Sequence, residues 1–241
     1  MITNQQSRTT IDEIAAGIYR ISTPLPPGAV PGGFSFNQFL IDDEQPTLFH
    51  TGPRGMFPVT CEAISTIVPI AHLHFIGFSH YEADECGALN EFLKAAPQAR
   101  PLCGSINGLI NGDSFDRPAR SLSDGEVVST GKHSLQWLDA AHLPHGWECG
   151  YLFEQSTRTL LCGDLFTQGG DRNPAITDSD ILGPSEGFRK HMDYFSHTSN
   201  CPMLLDKLAA TQPTTLACMH GSAWRGDGAQ LLKALSESLR Q

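Results

Sequence analysis

Residues 78–89 have the sequence FSHYEADECGAL and carry an imidazole and two carboxylates at alternate positions, His80, Glu82 and Asp84. The largely apolar run of residues 73–78 leads into this stretch and predicts a buried strand. Apolar residues at helical spacing follow it and predict a helix. Because a chain that leaves a strand can turn alternate side chains towards one point, we predict a metal-binding loop between the two elements.

Other candidate ligands follow apolar or small-residue runs, each close to a glycine. They lie in the segments DAAHLPHGW (residues 139–147), LLCGD (160–164) and LACMHG (216–221), and the side chains are His142, His145, Asp164 and His220. Such positions are typical of loops at the ends of strands. We therefore expect these side chains to meet His80 at one edge of a sheet.

The charge and hydropathy of the chain limit its partners. The 241 residues carry a formal net charge of −10 and contain no block of Lys or Arg, so we expect no nucleic-acid partner and no attraction to an anionic membrane surface. No apolar run approaches the roughly 18 residues that span a bilayer, and residues 1–10 lack the apolar core of a signal peptide. We therefore expect a cytoplasmic protein with no membrane partner.

Seven cysteines are scattered along the chain, and no two of them form a Cys-x-x-Cys pair. An odd number at such spacings argues against a disulfide framework and against a zinc or iron–sulfur site held by cysteines. We expect most of these cysteines to be reduced residues of the core.

Hydrophobic patterning predicts many short strands, with helices between and after them. Residues 1–10 are predicted to be a flexible polar tail. The predicted strands span residues 17–21, 34–41, 47–50, 73–78, 101–103, 126–129, 134–139, 150–154, 159–162 and 214–219. The predicted helices span residues 59–67, 85–96, 185–195, 201–210 and 227–239. The segment 168–185, rich in Gly, Asp, Asn and Pro, is predicted to be a long irregular loop that covers the site.

In combination these motifs resemble the metallo-β-lactamase superfamily, and within it the branch of flavodiiron and oxygen-binding diiron proteins. That branch is marked by His-x-Glu-x-Asp, a second His, an Asp after 18 intervening residues, and a distal His. Here 18 residues separate His145 from Asp164, so the spacing favours His145 over His142 as the ligand. The resemblance covers most of the chain and implies an α/β (α+β) fold, a four-layered αββα sandwich that forms a single diiron domain over residues 11–241.

The resemblance also implies the roles of the site residues. Its six metal ligands are His80, Glu82, Asp84, His145, Asp164 and His220. One metal would be held by His80, Glu82 and His145, and the other by Asp84 and His220. Asp164 would bridge the two metals. Asp164 and Glu82 are therefore also the candidate catalytic residues.

The chain differs from the hydrolytic branch of the superfamily, which usually carries His-x-His-x-Asp-His. Glu82 and Glu85 stand where that motif has its second and last His. Zinc favours nitrogen and sulfur ligands, whereas iron and manganese accept carboxylate-rich sites. An additional carboxylate also stabilises the ferric state. We therefore predict two iron ions, with zinc or manganese as the alternative metals.

The sequence leaves the roles of several residues near the motifs undecided. Glu85 is a weak ligand, a hydrogen-bonding partner of a ligand, or an acid in the first turn of a helix. The last role is favoured, because the helix dipole alone accounts for an acid at this position. His142 either supports the site by hydrogen bonding or is an ordinary structural residue. His50 is expected to be buried behind the site, and Tyr194 and Phe195 are candidates to cap the metal pocket.

The implied function is the binding or reduction of dioxygen or nitric oxide by a non-haem diiron centre. The chain would be an oxygen sensor or carrier, or an oxidoreductase that takes electrons from a separate flavoprotein or rubredoxin. Relatives suggest a homodimer by analogy only. The alternative function is that of a metal-dependent hydrolase, in which a metal-bound hydroxide attacks an ester, lactone or thioester held under the segment 168–185.

Overall fold

The computed structural model describes residues 1–26 and 28–240 and contains two β-sheets. The first sheet has eight strands that pair in chain order. They are β1 (Ile2–Asn4), β2 (Thr9–Ala15), β3 (Ile18–Pro24), β4 (Ser35–Ile41), β5 (Thr47–Phe49), β6 (Phe75–Gly77), β7 (Arg100–Gly104) and β8 (Arg120–Leu122). Strands β1 to β5 pair antiparallel, and β5 to β8 pair in parallel.

Parallel strands need crossover connections, and in the first sheet these contain helices. They are α1 (Phe57–Ile64), α2 (Ala83–Cys86), α3 (Leu89–Ala95) and α4 (Ser105–Asn111). Single 3-10 turns accompany them at Arg54–Met56, Ile70–His72 and Gly112–Ser114.

The second sheet is built from the second half of the chain. Its seven strands are β9 (Val127–Ser129), β10 (Ser134–Asp139), β11 (Gly150–Glu154), β12 (Thr159–Leu161), β13 (Ile176–Thr177), β14 (Thr215–Ala217) and β15 (Ala223–Arg225). They lie in the order β13-β15-β14-β12-β11-β10-β9. The helices of this half are α5 (Leu182–Arg189), α6 (Cys201–Ala210) and α7 (Gly228–Ser238). None of the helices in the described ranges is long and apolar enough to cross a membrane.

Three apolar clusters hold the layers together. Between the two sheets, Phe39 and Ile41 of β4 pack in one cluster with Trp137 of β10 and Leu152 of β11. Leu40 belongs instead to the cluster under α1 and α3, because successive side chains of a strand point to opposite faces. A third cluster joins the outer face of the second sheet to α6 and α7. The order of layers is therefore helices, sheet, sheet, helices.

The first ten residues differ from the flexible tail predicted for them. Residues 2–4 form β1, which pairs with β2 through Ile2 opposite Thr10 and Asn4 opposite Thr9. The backbone N–H of Ile11 also donates to the carbonyl oxygen of Met1 at 2.8 Å. Because backbone hydrogen bonds form this edge, polar side chains do not prevent it from pairing.

Two further segments differ from their predicted structure. The long loop predicted over residues 168–185 contains β13 and the start of α5. The helix predicted over residues 85–96 is divided into α2 and α3. Gly87 lies at the division, where a Cβ atom would be only 2.2 Å from the carbonyl oxygen of Ala83. This close approach requires glycine.

Candidate metal centre

The candidate ligands lie in the loops that follow four strands. His80 follows β6, His145 follows β10, Asp164 follows β12 and His220 follows β14. Strands β12 and β14 pair in parallel with Leu161 opposite Ala217. Because Asp164 and His220 each lie three residues beyond this pair, both side chains are carried to the same end of the sheet.

One side of the centre is formed by His80, Glu82 and His145 around one oxygen of Asp164. The Nε2 atoms of His80 and His145 are 3.0 Å apart. Each of them is 3.5 Å from Oδ2 of Asp164. Oε1 of Glu82 is 3.2 Å from Nε2 of His145. These four side chains therefore converge on one small volume.

The other side of the centre uses the second oxygen of the same aspartate. Oδ1 of Asp164 is 3.4 Å from Nε2 of His220. Oδ2 of Asp84 is 3.5 Å from the same nitrogen. The two carboxylate oxygens of Asp164 thus face two different groups of donors, which is the arrangement expected of a bridging ligand. All six predicted ligands are brought together, whereas their binding of a metal stays a prediction.

Backbone and side-chain partners fix the orientation of the three imidazole rings. Nδ1 of His145 donates to the carbonyl oxygen of Tyr194 at 2.7 Å, and Nδ1 of His220 donates to that of Ser35 at 3.0 Å. Nδ1 of His80 lies 2.9 Å from Oγ of Ser79. Each Nε2 therefore points into the centre, and such partners are typical of metal-binding histidines.

His50 supports this arrangement from behind. It is fully buried, and its Nε2 lies 3.0 Å from the Ser79 hydroxyl that contacts His80. Burial lowers the pKa of His50 to about 3, so the ring is neutral at pH 7. The expected position of His50 behind the site is confirmed, and a chain of contacts runs from His50 through Ser79 to His80.

Two residues of the first sheet hold the loop that carries His220. The guanidinium of Arg20 is buried and donates to the carbonyl oxygen of Gly221 at 2.6 Å. The side-chain amide of Asn37 donates to the carbonyl oxygens of Cys218 and Gly221, each at 2.8 Å. Arg20 is not among the predicted site residues, because an arginine in a strand is usually exposed.

An aromatic wall encloses His220. Its ring centroid is 4.4 Å from that of Phe34 and 5.4 Å from that of Phe36. Phe34 also stacks on Phe188 of α5, with centroids 5.5 Å apart. The predicted cap residue Tyr194 is on the other side, 6.5 Å from the ring of His145. The phenylalanines of this wall were not among the predicted site residues.

Glu85 has a different environment from the one favoured by the sequence. Its side chain is completely buried, and within the described part of the chain neither of its carboxylate oxygens has a hydrogen-bond partner. Oε2 of Glu85 is 3.8 Å from Nε2 of His80. An acid whose only role was to complement a helix dipole would be exposed. One feature of the sequence does point to a role in the centre: Glu85 directly follows Asp84, at the position where the hydrolytic motif has His.

The donor atoms of the centre match a site for cations. Burial raises the pKa of Glu85 well above its usual range, and the charges of Asp164 and Asp84 raise it further. Burial lowers the pKa of His220, but the Asp164 and Asp84 carboxylates, 3.4 and 3.5 Å from its Nε2, prevail and raise it to about 9. Oδ1 of Asp164 lacks a standard hydrogen bond within residues 1–26 and 28–240. Metal ions bound between these buried carboxylates and imidazoles would offset the free-energy cost of removing the carboxylates from water.

Three groups of potential ligands overlap in the centre. In each group the ligand atoms lie within 4.8 Å of one another, and the groups are His80–His145–Asp164, His80–Glu82–Glu85 and Asp84–Glu85–His220. His142 is not part of any of these groups. The residues present therefore fit a pair of metal ions that share some of their ligands.

Comparison with known proteins agrees with this architecture. The profile of the family described as ODP family beta lactamase matches residues 34–221. The rubredoxin-oxygen oxidoreductase of Megalodesulfovibrio gigas is 23% identical over 208 residues, which are 81% of this chain and 50% of that protein. The anaerobic nitric oxide reductase flavorubredoxin of Salmonella arizonae is 22% identical over 213 residues, 83% of this chain and 44% of that protein.

A solved structure gives the same result for the fold. A variant of a flavo di-iron protein from Thermotoga maritima superposes with a TM-score of 0.82 at 17% identity, covering 96% of this chain and 61% of that one. The predicted four-layered αββα fold is thus confirmed. The chain spans about half the length of the curated relatives it matches.

Proposed function

The chain belongs to the ODP family of beta lactamases, and from that premise we propose that it is a non-haem diiron protein that binds or reduces dioxygen or nitric oxide. One observation carries the proposal. The two oxygens of Asp164 face His80 with His145 on one side and His220 on the other, with Glu82 and Asp84 adjacent. A carboxylate-rich set of this kind suits iron better than zinc.

The proposed ligands are the six that the sequence predicted. One iron would be held by His80, Glu82 and His145, the other by Asp84 and His220, and Asp164 would bridge the two. When bound in the ferrous state, such a pair supplies the electrons for reducing a diatomic ligand. Zinc and manganese are the alternative metals.

The surrounding residues would control access and orientation. Phe34 and Phe36 exclude water on the His220 side. The side chain of Glu82 is 51% exposed, and it lines a groove of about 570 Å³ together with Tyr81 and Phe115. We therefore assign entry of the small ligand to the Glu82 side, and the catalytic roles to Glu82 and Asp164.

The partners follow from the same proposal. The relatives named above are an oxidoreductase that pairs rubredoxin with oxygen and a flavorubredoxin that reduces nitric oxide. We propose that a flavoprotein or a rubredoxin reduces the centre of this chain and that the chain assembles as a homodimer. In the absence of such a donor, the chain would act as an oxygen sensor or carrier.

The hydrolase alternative is the weaker one. Glu82 and Glu85 stand where the hydrolytic motif has histidines. The hydrolase function would need the segment 168–185 to cover an organic substrate, but this segment contributes a strand to the second sheet and the first turn of α5.

The test begins with protein from iron-supplemented cells. We expect about two irons per chain by mass spectrometry, lost in His80→Ala and retained in His72→Ala, since His72 lies in an exposed 3-10 turn. Oxygen or nitric oxide uptake is then followed with reduced rubredoxin and with a reduced flavoprotein. Sustained consumption supports a reductase, and a single stoichiometric reaction supports a sensor or carrier. Zinc bound in the presence of excess iron, together with turnover of esters or lactones, would overturn the proposal.

A further inference from the structure

We propose that Glu85 is a direct ligand of the metal pair, a second carboxylate that spans both metal positions beside Asp164. The inference rests on the proposed function only in assuming that two metal ions bind between the converging side chains. It assigns a seventh protein ligand to the centre.

The position of the side chain is the first argument. Glu85 is completely buried, and neither of its carboxylate oxygens has a hydrogen-bond partner in the part of the chain that the structure describes. A carboxylate that has lost water without gaining donors is strongly destabilising unless a cation compensates it. The side chains that face Glu85 include His80, at 3.8 Å, and His220, and both are themselves candidate ligands, so an ion at either metal position would supply the compensation.

The second argument is that Glu85 belongs to both halves of the centre. Its ligand atoms lie within 4.8 Å of those of His80 and Glu82, and also of those of Asp84 and His220. Asp164 is the other carboxylate that contacts histidines on both sides. Without Glu85 the His80 side has four protein donors, whereas the His220 side has only three, those of Asp84, Asp164 and His220. A Glu85 carboxylate that spans both positions gives the His220 side its fourth donor and the His80 side a fifth.

The backbone holds Glu85 in this position. Its carbonyl oxygen accepts a hydrogen bond from the backbone N–H of Thr51 at 2.7 Å. The helix α2 that contains Glu85 has only four residues, so its dipole is a weak reason for burying a negative charge. The side chain therefore points into the centre for a reason other than capping.

The consequence is a change in the charge of the centre. Four carboxylates, those of Glu82, Asp84, Glu85 and Asp164, balance the charge of two divalent ions. A site in which histidine replaces Glu85 would keep one more positive charge. The residue thus tunes the charge of the reduced metal pair as well as its coordination.

The alternative to ligation is a buried, protonated Glu85 that shares a hydrogen with Asp84. Glu85→Gln separates the two cases, because glutamine keeps the shape and a hydrogen-bond donor but loses the bridging carboxylate. The matched control is Glu154→Gln. Glu154 is equally buried, lies in β11, and is held by Ser156 and Thr157 away from the metal centre.

Two measurements test the proposal on the full chain. The first is competition between the protein and a chelator for iron, and the second is the electron paramagnetic resonance spectrum after partial reduction to the mixed-valence state. For Glu85→Gln we expect iron affinity to fall by at least about 10-fold, as for other losses of support at metal sites, and the spectrum to change. The apoprotein should be at least as resistant to urea as the wild type, and Glu154→Gln should leave iron affinity and spectrum unchanged.

The outcomes separate this inference from the proposed function. If wild type binds two irons, and Glu85→Gln retains both its affinity and its spectrum, the ligand role of Glu85 is overturned while the diiron function stands. If the wild type binds two zinc ions instead, iron is the wrong metal, and the same chelator competition with zinc still decides the role of Glu85. A wild-type chain that binds neither metal overturns both.

Discussion

The guanidinium of Arg20 donates a hydrogen bond to the carbonyl oxygen of Gly221 at 2.6 Å and so connects the middle of β3 to the loop that presents His220. Burial lowers the pKa of Arg20 to about 10, and the charge of Asp12 opposes this effect, so the side chain is still a cation at neutral pH. A buried cation in the first sheet thus holds a residue next to a candidate ligand from the second.

Replacement of Arg20 by methionine should destabilise the chain and loosen the His220 loop. Hydrogen bonds to charged groups contribute about 1.5–3 kcal/mol, and we expect a loss of this size in the free energy of unfolding by urea. Iron retention should fall with it. In the control Arg8→Met, which removes a partly exposed pair with Asp171, stability should change by less than about 0.5 kcal/mol. Equal effects of the two variants would contradict the special role of Arg20.

Replacement of Ser79 by alanine should weaken metal binding without unfolding the chain. The substitution removes the hydroxyl that lies between Nε2 of His50 and Nδ1 of His80. Loss of a partner that orients a metal-binding histidine typically costs about 10–100-fold in affinity. Chelator competition measures the effect, with the exposed Ser199→Ala as control. Unchanged iron affinity in Ser79→Ala would show that His80 is oriented by its packing alone.

Replacement of Gly221 by alanine should disturb the same loop from inside. Gly221 has φ of +91°, and a Cβ atom there would lie 2.6 Å from Cβ of Gln168. We expect a loss of about 1–3 kcal/mol of unfolding free energy, because strained backbone and steric overlap add. The matched control is Gly32→Ala, which has φ of +83° but no atom within 4 Å of the added Cβ. The difference in unfolding free energy between the two variants measures the steric overlap with Gln168, because both have a positive φ. A difference near zero would show that this overlap costs nothing.

Asp43 should give the chain an acid-dependent share of its stability. Partial burial raises the pKa of Asp43, but hydrogen bonds from the backbone N–H groups of Lys132 and His133 and from the Thr130 hydroxyl prevail and lower it to about 2. The folded pKa lies below the unfolded value of about 3.9. The contribution is therefore present above pH 4 and is lost as the pH falls towards 2.

The test compares wild type with Asp43→Asn in urea at pH 7 and at pH 2.5. At pH 7 the variant should be less stable by about 1 kcal/mol, a value reduced for the partial exposure of the carboxylate. At pH 2.5 the difference should be smaller. Asp206→Asn is the control, since Asp206 is exposed on α6. A difference that grows as the pH falls would have the wrong sign.

Local patterning predicted much of the fold. The alternation of apolar and polar side chains predicted strands at residues 134–139 and 150–154, and these are the bounds of β10 and β11. It missed β2, since the polar residues before Ile11 concealed its alternation. It also missed α4, whose Leu109 is 80% exposed and gives no apolar face directed at the core.

The ligands of the site could be predicted where the number of residues between two motifs identifies them. The 18 residues between His145 and Asp164 selected the histidine that the structure brings to the centre. The environment of Glu85 was not predictable in this way. Burial of its carboxylate depends on His80, Asp164 and His220, and the last two come from distant segments of the chain. The helix dipole offers a local explanation for an acid at this position, and that explanation does not require burial.

The candidate ligands are divided between the two sheets. His80, Glu82 and Asp84 follow a strand of the first sheet, whereas His145, Asp164 and His220 follow strands of the second. Ions held by both sets would therefore join the sheets as a cross-link does, at the end of the sandwich where the two loops meet. Loss of the ions would remove that link and leave the sheets joined by the apolar cluster between them, so the metal content of the chain would contribute to its mechanical rigidity as well as to its chemistry.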